Sequence, residues 1–170
     1  QVVLCAGAPD TPEIEAEMRD AVTEVQKERD GVIWVEEMLD RPTMIELYAA
    51  ADLFCCPSIY EPFGIINLEA MACETAVVAA AVGGIKEVVL NEVTGLQIPV
   101  EQLNVAPYEP VDPDKFSRDL ADGINRLMAD DDLRQKMAHA GQVRAKDLFS
   151  WEAIAQQTVE VYSELVTKNK

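Results

Sequence analysis

The sequence predicts an α/β fold: a doubly wound parallel sheet with helices on both faces and a helical extension at the carboxyl end. Three observations point there. Short apolar runs alternate with helical patterns from Gln1 to Val100, as βαβ units do. One of those runs, Thr75 to Val82, is continuously apolar, as a strand covered on both faces must be. Beyond Glu101 the pattern turns to helix alone.

Taken in order, Gln1 to Cys5 reads as a strand closed by Ala6-Gly7. Thr11 suits a helix N-cap with Pro12 in the first helical position, and Ile14, Met18, Val22 and Val25 repeat at helical spacing as far as Gly31. Val32 to Val35 forms the second strand. Thr43-Met44-Ile45-Glu46 reads as a capping box that opens a helix through Leu47 and Ala50. Asp52 to Ser58 is a third strand, Ile65 to Cys73 a helix, Thr75 to Val82 a strand broken by Gly83-Gly84. Leu96, Ile98 and Val100 alternate as a last, more exposed strand. Asp112-Pro113 starts a helix with the stripe Phe116, Leu120, Ile124 and Leu127. A second helix runs from about Leu133 to Phe149. Ser150 caps a third, whose Trp151, Ile154, Thr158, Tyr162 and Leu165 share a face; core packing is its default reading, and a partner-binding face the alternative. The expected organisation is one domain over residues 1–170, an α/β core over 1–111 and a helical flank over 112–170. Because Gln1 already reads as strand, the chain reads as a piece of something longer.

Composition narrows the partners. Thirty-one acidic residues against 14 basic ones give a net charge of −17, a field that repels nucleic acid and anionic lipid. No stretch has the length and apolarity of a membrane span. Cys5, Cys55, Cys56 and Cys73 show no CxxC spacing and there is one histidine, His139, so neither a disulfide framework nor a metal site is expected. A reducing, cytoplasmic setting follows. His139 reads as a surface residue.

The chemistry concentrates in Tyr60-Glu61-Pro62-Phe63-Gly64-Ile65-Ile66-Asn67-Leu68-Glu69. Pro62 and Gly64 punctuate a strand-to-helix junction, leaving Glu61 in the loop and Glu69 about a turn into the helix. A helix start presents unpaired N–H groups and partial positive charge, which suits an anion. Carboxylates beside it suit hydroxyl donors such as a ribose and a sugar. By chemistry alone, Glu61 as a helix cap and Glu69 as a solvated helix residue stand as even alternatives.

Several segments together resemble the carboxyl-terminal domain of retaining GT-B glycosyltransferases: Ala50-Ala51-Asp52-Leu53-Phe54, Pro57-Ser58, Glu61-Pro62-Phe63-Gly64, Leu68-Glu69-Ala70-Met71-Ala72, Gly83-Gly84-Ile85-Lys86-Glu87-Val88-Val89 and Thr94-Gly95-Leu96. Cys5 to Glu13 and Tyr108 to Pro113 are most similar to bacterial, particularly actinobacterial, glycogen synthases. The resemblance implies a Rossmann-like domain in which Glu61 is the catalytic-site carboxylate touching donor-sugar hydroxyls. The N–H groups of Phe63, Gly64, Ile65 and Ile66 would hold sugar and diphosphate, and Glu69 the ribose hydroxyls. Val35, Met38 and Leu39 would border the nucleobase, and Lys86 could reach a phosphate. No metal and no cofactor are implied. The implied partners are ADP-glucose or UDP-glucose and an α-1,4-glucan acceptor, with lipid, sugar-phosphate or small-molecule acceptors as alternatives. The family's diphosphate-clamping Arg and Lys, its first strand–helix unit and its acceptor domain would lie upstream of Gln1, so this stretch alone is expected to bind a nucleotide weakly without turnover. A non-catalytic nucleotide- or protein-binding module is the rival from another class; a dinucleotide-binding domain lacks its G-x-G-x-x-G turn here.

Overall fold

In a computed structural model, residues 1–5 and 11–168 are described. The expected Ala6-Gly7 turn, and residues 6–10 of the segment likened to glycogen synthases, lie outside them. The elements are β1 (Val2–Cys5), α1 (Pro12–Glu28), β2 (Val32–Val35), α2 (Arg41–Ala50), β3 (Leu53–Cys56), α3 (Ile65–Ala72), β4 (Ala76–Ala80), α4 (Ile85–Val88), β5 (Leu96–Ile98), α5 (Pro113–Ala129), α6 (Asp131–Phe149) and α7 (Trp151–Lys168). The chain divides into two compact units, Gln1–Met44 and Ile45–Lys170.

In the first unit, β1 and β2 pair in parallel, Val2 opposite Val32 through Cys5 opposite Val35. The helix between them starts as its residues dictate, with Thr11 Oγ1 accepting from the Ile14 N–H at 3.3 Å and Pro12 in the first turn. Val22 is its buried residue. Gly31, at φ +80°, makes the left-handed turn into β2, and its carbonyl accepts from the Val2 N–H. The capping-box reading of Thr43 needs correction. Asp40 is the cap: its carboxylate accepts from the Thr43 N–H at 3.0 Å, and its carbonyl accepts the first helical bond from Met44. Pro42 is thereby inside the first turn, where its missing N–H costs nothing.

The second unit is built on a parallel sheet of order β3-β4-β5, with Leu53 opposite Ala76 through Cys56 opposite Ala79, and Val78 opposite Leu96. All five residues of β4 are buried, so helices cover both of its faces, as its unbroken apolar run requires. On one face Ala76 and Val78 join Leu96, Ile98, Leu127, Met137 and Ala138, with Phe116, Leu120 and Ile124 packed alongside. The expected stripe of α5 is therefore its core face. Leu96 and Ile98 are buried, so β5 is less exposed than its alternation suggested. Caps again set the helix starts. Asp112 accepts from the Lys115 N–H, Asp130 from Leu133 and Ser150 from Ala153.

The default reading of α7 as core-packed is not met. Among the described residues none of α7 is buried; Trp151 is 86% exposed and Tyr162 64%. The helix packs along α6. Cys5, read as an apolar strand residue, is also exposed, because β1 itself is largely exposed.

Candidate functional site

Between β3 and α3 the chain makes one turn on which the site depends. Gly64 sits at φ +97°, ψ 44°, a left-handed conformation that a side chain resists, and a β-carbon there would meet the Asn67 amide at 3.0 Å and Ile85 at 3.3 Å. Gly64 has no side chain to cap the helix, so the start of α3 stays open. The N–H groups of Phe63, Ile65 and Ile66 meet no acceptor among the described residues. Ile65 is 61% exposed and Ile66 39%, so this end of the helix faces out. About half a positive charge gathers there.

Glu61 does part of what the cap alternative required. Its Oε1 accepts from the Gly64 N–H at 3.1 Å, which removes one of the four expected N–H groups from the open set. The carboxylate is half-buried, held against the turn rather than waving in solvent. Glu69, one turn into α3, is half-buried too, and its Oε2 lies 3.5 Å from the Tyr48 hydroxyl. It is therefore more than a solvated helix position. The buried face of α3 carries Asn67, Ala70 and Met71; Asn67 Nδ2 reaches the Cys56 sulfur at 3.6 Å, while its Oδ1 has no partner among the described residues.

The Gly83-Gly84 loop after β4 presses on this turn. The Gly84 N–H donates to the Glu61 carbonyl at 3.1 Å. A β-carbon on Gly84 would fall 2.5 Å from the Phe63 α-carbon. Both glycines are thus demanded by backbone-to-backbone approach. The broken strand was legible from sequence; this close contact was not.

Aromatic and amide side chains hold the turn from two other directions. Tyr60 stacks on Tyr108 with ring centres 5.9 Å apart, and Gln102 Nε2 donates to the carbonyls of Ile59 and Tyr108 at 2.5 and 2.8 Å. Phe63 meets Phe149 edge-on at 6.1 Å, and Phe149 lies under the Arg144 guanidinium, which itself donates to the carbonyls of Val88 and Glu87. Sequence reasoning missed Tyr48, Gln102, Tyr108, Arg144 and Phe149, because each reaches the turn from a distant element. Only the adjacency of Tyr60 to the motif and the irregular stretch before Val111 hinted at them.

The structure brings Glu61, Phe63, Gly64, Ile65, Ile66 and Glu69 together on one loop and helix start. Lys86, on α4 two residues past Gly84, is exposed. Val35, Met38 and Leu39 belong to the Gln1–Met44 unit, where Met38 is 85% exposed. His139 lies at the surface as expected, with Nδ1 3.0 Å from Glu74 Oε1. Burial pushes the Cys73 thiol up, and the neighbouring Glu69 charge pushes it further. Cys55 is raised to about 11 by burial first and by Cys56 second. Among the described residues no group of three His, Cys, Asp or Glu side chains is placed to hold a metal ion.

Fold and turn together define a parallel α/β domain with an open helix start beyond the carboxyl end of a strand, the place where such domains hold phosphorylated ligands. The chain belongs to the family of group 1 glycosyl transferases, which residues 17–106 match. It is 48% identical over 162 residues to the α-maltose-1-phosphate synthase of Mycolicibacterium smegmatis, covering 95% of this chain and 40% of that protein. It is 34% identical over 164 residues to the D-inositol 3-phosphate glycosyltransferase of Xylanimonas cellulosilytica, covering 96% of this chain and 35% of the relative. Among solved structures, sucrose-phosphate synthase of Thermosynechococcus elongatus superposes with a TM-score of 0.75 at 33% identity, over 99% of this chain and 39% of that one. HepE of Anabaena, in complex with UDP and glucose, gives 0.74 at 28% identity over 95% and 40%. The chain thus spans about two fifths of the length of these relatives.

Proposed function

We propose that this chain is the donor-binding part of a retaining glycosyltransferase that moves a glucosyl group from ADP-glucose or UDP-glucose. One observation carries the reading: an α3 start with open N–H groups at Ile65 and Ile66, bracketed by two half-buried carboxylates. The open end receives the diphosphate. Glu69 accepts from the ribose hydroxyls. Glu61 keeps Oε1 on the Gly64 N–H and turns Oε2 to the hydroxyls of the sugar. Lys86 approaches a phosphate in this reading. HepE, a structural neighbour held with UDP and glucose, supports the nucleotide-sugar class.

In the reaction the bond between the anomeric carbon and the diphosphate oxygen breaks, and its electron pair leaves with the diphosphate. Cleavage needs stabilisation of that leaving charge and of an oxocarbenium-like carbon. The acceptor's hydroxyl oxygen forms the new bond to that carbon on the face the diphosphate leaves, and its proton passes to the departing diphosphate oxygen, so neither carboxylate has to shuttle it. Glu61 is bound to a backbone N–H and serves as a fixed negative group beside the sugar. Half a helix charge is small against the two to three negative charges of a diphosphate. An Arg and Lys pair in an upstream strand–helix unit, together with an acceptor domain, completes the enzyme in this reading.

The α-1,4-glucan acceptor suggested by likeness to glycogen synthases gives way to a sugar phosphate. The relatives are named for maltose 1-phosphate and inositol 3-phosphate, and α-maltose 1-phosphate is what a glucosyl transfer onto glucose 1-phosphate produces. The glucan remains the second acceptor, on the likeness of Tyr108 to Pro113.

Calorimetry on this chain tests the donor: ADP, UDP, ADP-glucose and UDP-glucose are titrated beside NAD. Binding of NAD alone, or of none at millimolar concentration, would end the proposal. The longer protein, supplied with either nucleotide glucose and with glucose 1-phosphate or glycogen, tests the acceptor. Transfer to glycogen alone rejects the sugar-phosphate choice, and an inverted anomeric product rejects retention.

A further inference from the structure

We infer that Tyr48 is a positioning residue for Glu69, setting the direction in which that carboxylate meets the ribose diol. This rests on the ribose reading of Glu69 above. Tyr48 lies on α2, 21 residues before Glu69, is 5% exposed, and sends its hydroxyl to Glu69 Oε2 at 3.5 Å. That distance is long for an O–H···O⁻ bond, as polar contacts in unliganded sites commonly are before the ligand tightens them.

The ring is fixed independently of Glu69. Its edge meets the Phe54 ring at 5.3 Å with the planes at 83°, anchoring it to β3. Its carbonyl accepts from the Thr75 hydroxyl at 2.6 Å, anchoring the backbone to the residue just before β4. One anchor lies in the sheet on which the site stands and the other directly precedes its central strand, so the hydroxyl is a fixed point and the glutamate is the adjustable partner. A half-buried glutamate without such a partner still samples several rotamers and loses that freedom on binding. With Oε2 drawn toward Tyr48, the carboxylate plane is preset. It offers about four acceptor sites in all, so the tyrosine leaves room for two sugar hydroxyls. The role is orientation, and Tyr48 itself touches no reacting atom.

The test compares the parent chain, Tyr48→Phe, Glu69→Ala and the double variant, titrated with ADP and UDP and with their 2′,3′-dideoxy forms. Tyr48→Phe is expected to weaken the ribonucleotides roughly three- to tenfold, the effect of one hydrogen bond. It should leave the dideoxy forms unchanged and add nothing on top of Glu69→Ala. Equal weakening of ribo and dideoxy forms would mean a merely structural tyrosine and overturn the inference. So would a Tyr48→Phe affinity equal to the parent's while Glu69→Ala is weak, and in that case the ribose reading survives. Parent-like binding by Glu69→Ala, or no binding by the parent itself, would remove the ribose reading and this inference with it. Circular dichroism verifies the fold of each variant, and Tyr48→Leu supplies a second hydroxyl-free side chain should the phenylalanine variant not fold.

Discussion

Gly83 approaches Glu61 so closely that a β-carbon on the glycine would stand 1.9 Å from the glutamate's carbonyl oxygen. Two loops that leave neighbouring parallel strands are in this way pressed backbone to backbone, and the position of the Glu61 carboxylate is inherited from that contact.

Gly83→Ala must therefore move one loop. The glycine also sits at φ +44°, where alanine is strained. We expect a loss of roughly 1–3 kcal/mol in stability and a drop of tenfold or more in nucleotide-sugar affinity. Urea melts and calorimetry read the two effects. A variant with unchanged binding would show that the motif turn does not depend on the glycine loop.

Glu61 combines a local bond with its place in the site, and two substitutions separate them. Glu61→Ala removes the acceptor for the Gly64 N–H and should cost about 1 kcal/mol, as lost helix caps do. Glu61→Gln keeps an oxygen for that N–H and should melt near the parent. Both should depress glucosyl transfer by the longer protein. Full transfer by Glu61→Gln would remove the charge from the mechanism.

Cys55 gives the chain an alkaline weakness. Its folded value is about 11 against an ordinary 9.0, mainly through burial. Below the ordinary value both folded and unfolded chains keep the proton, and stability does not respond. Between the two values the unfolded chain has released the proton while the folded chain still holds it, so stability falls as pH rises. The full loss is on the order of 2–3 kcal/mol. Urea melts across that window should show the decline in the parent and a flatter line in Cys55→Ala. Equal slopes would locate the effect elsewhere.

Leu127 is fully buried in the cluster that joins α5 to β4 and β5. Leu127→Ala should cost roughly 2–5 kcal/mol, the range for cavities left by a buried leucine. Melting temperature measures it; a change within error would mean that α5 is not part of this core.

What the sequence made legible follows periodicity and punctuation. The unbroken apolar run of β4, the stripe of α5 and the Pro–Gly break before α3 each located an element, because each is a local pattern with a local cause. Asp40 displaced Thr43 as the cap of α2 because Pro42 favours the first turn of a helix, and the helix therefore begins earlier than the capping box implied. Trp151 and its neighbours have helical spacing, but periodicity identifies a face without supplying what covers it. Within the site, Glu61 and Glu69 stood out through their chemistry. Tyr48, Gln102 and Phe149 did not, since nothing in the spacing of residues so far apart foretells a contact made only after the strands pair.

The pairing of β3 with β4, Leu53 opposite Ala76 through Cys56 opposite Ala79, fixes the metric of the site. A slip of one residue would carry the motif loop about 3.3 Å along the sheet and turn Cys56 and its neighbours to the opposite face. Four backbone partnerships thus gauge the candidate site, because the connection they bracket, residues 57–75, is the motif turn and α3 themselves.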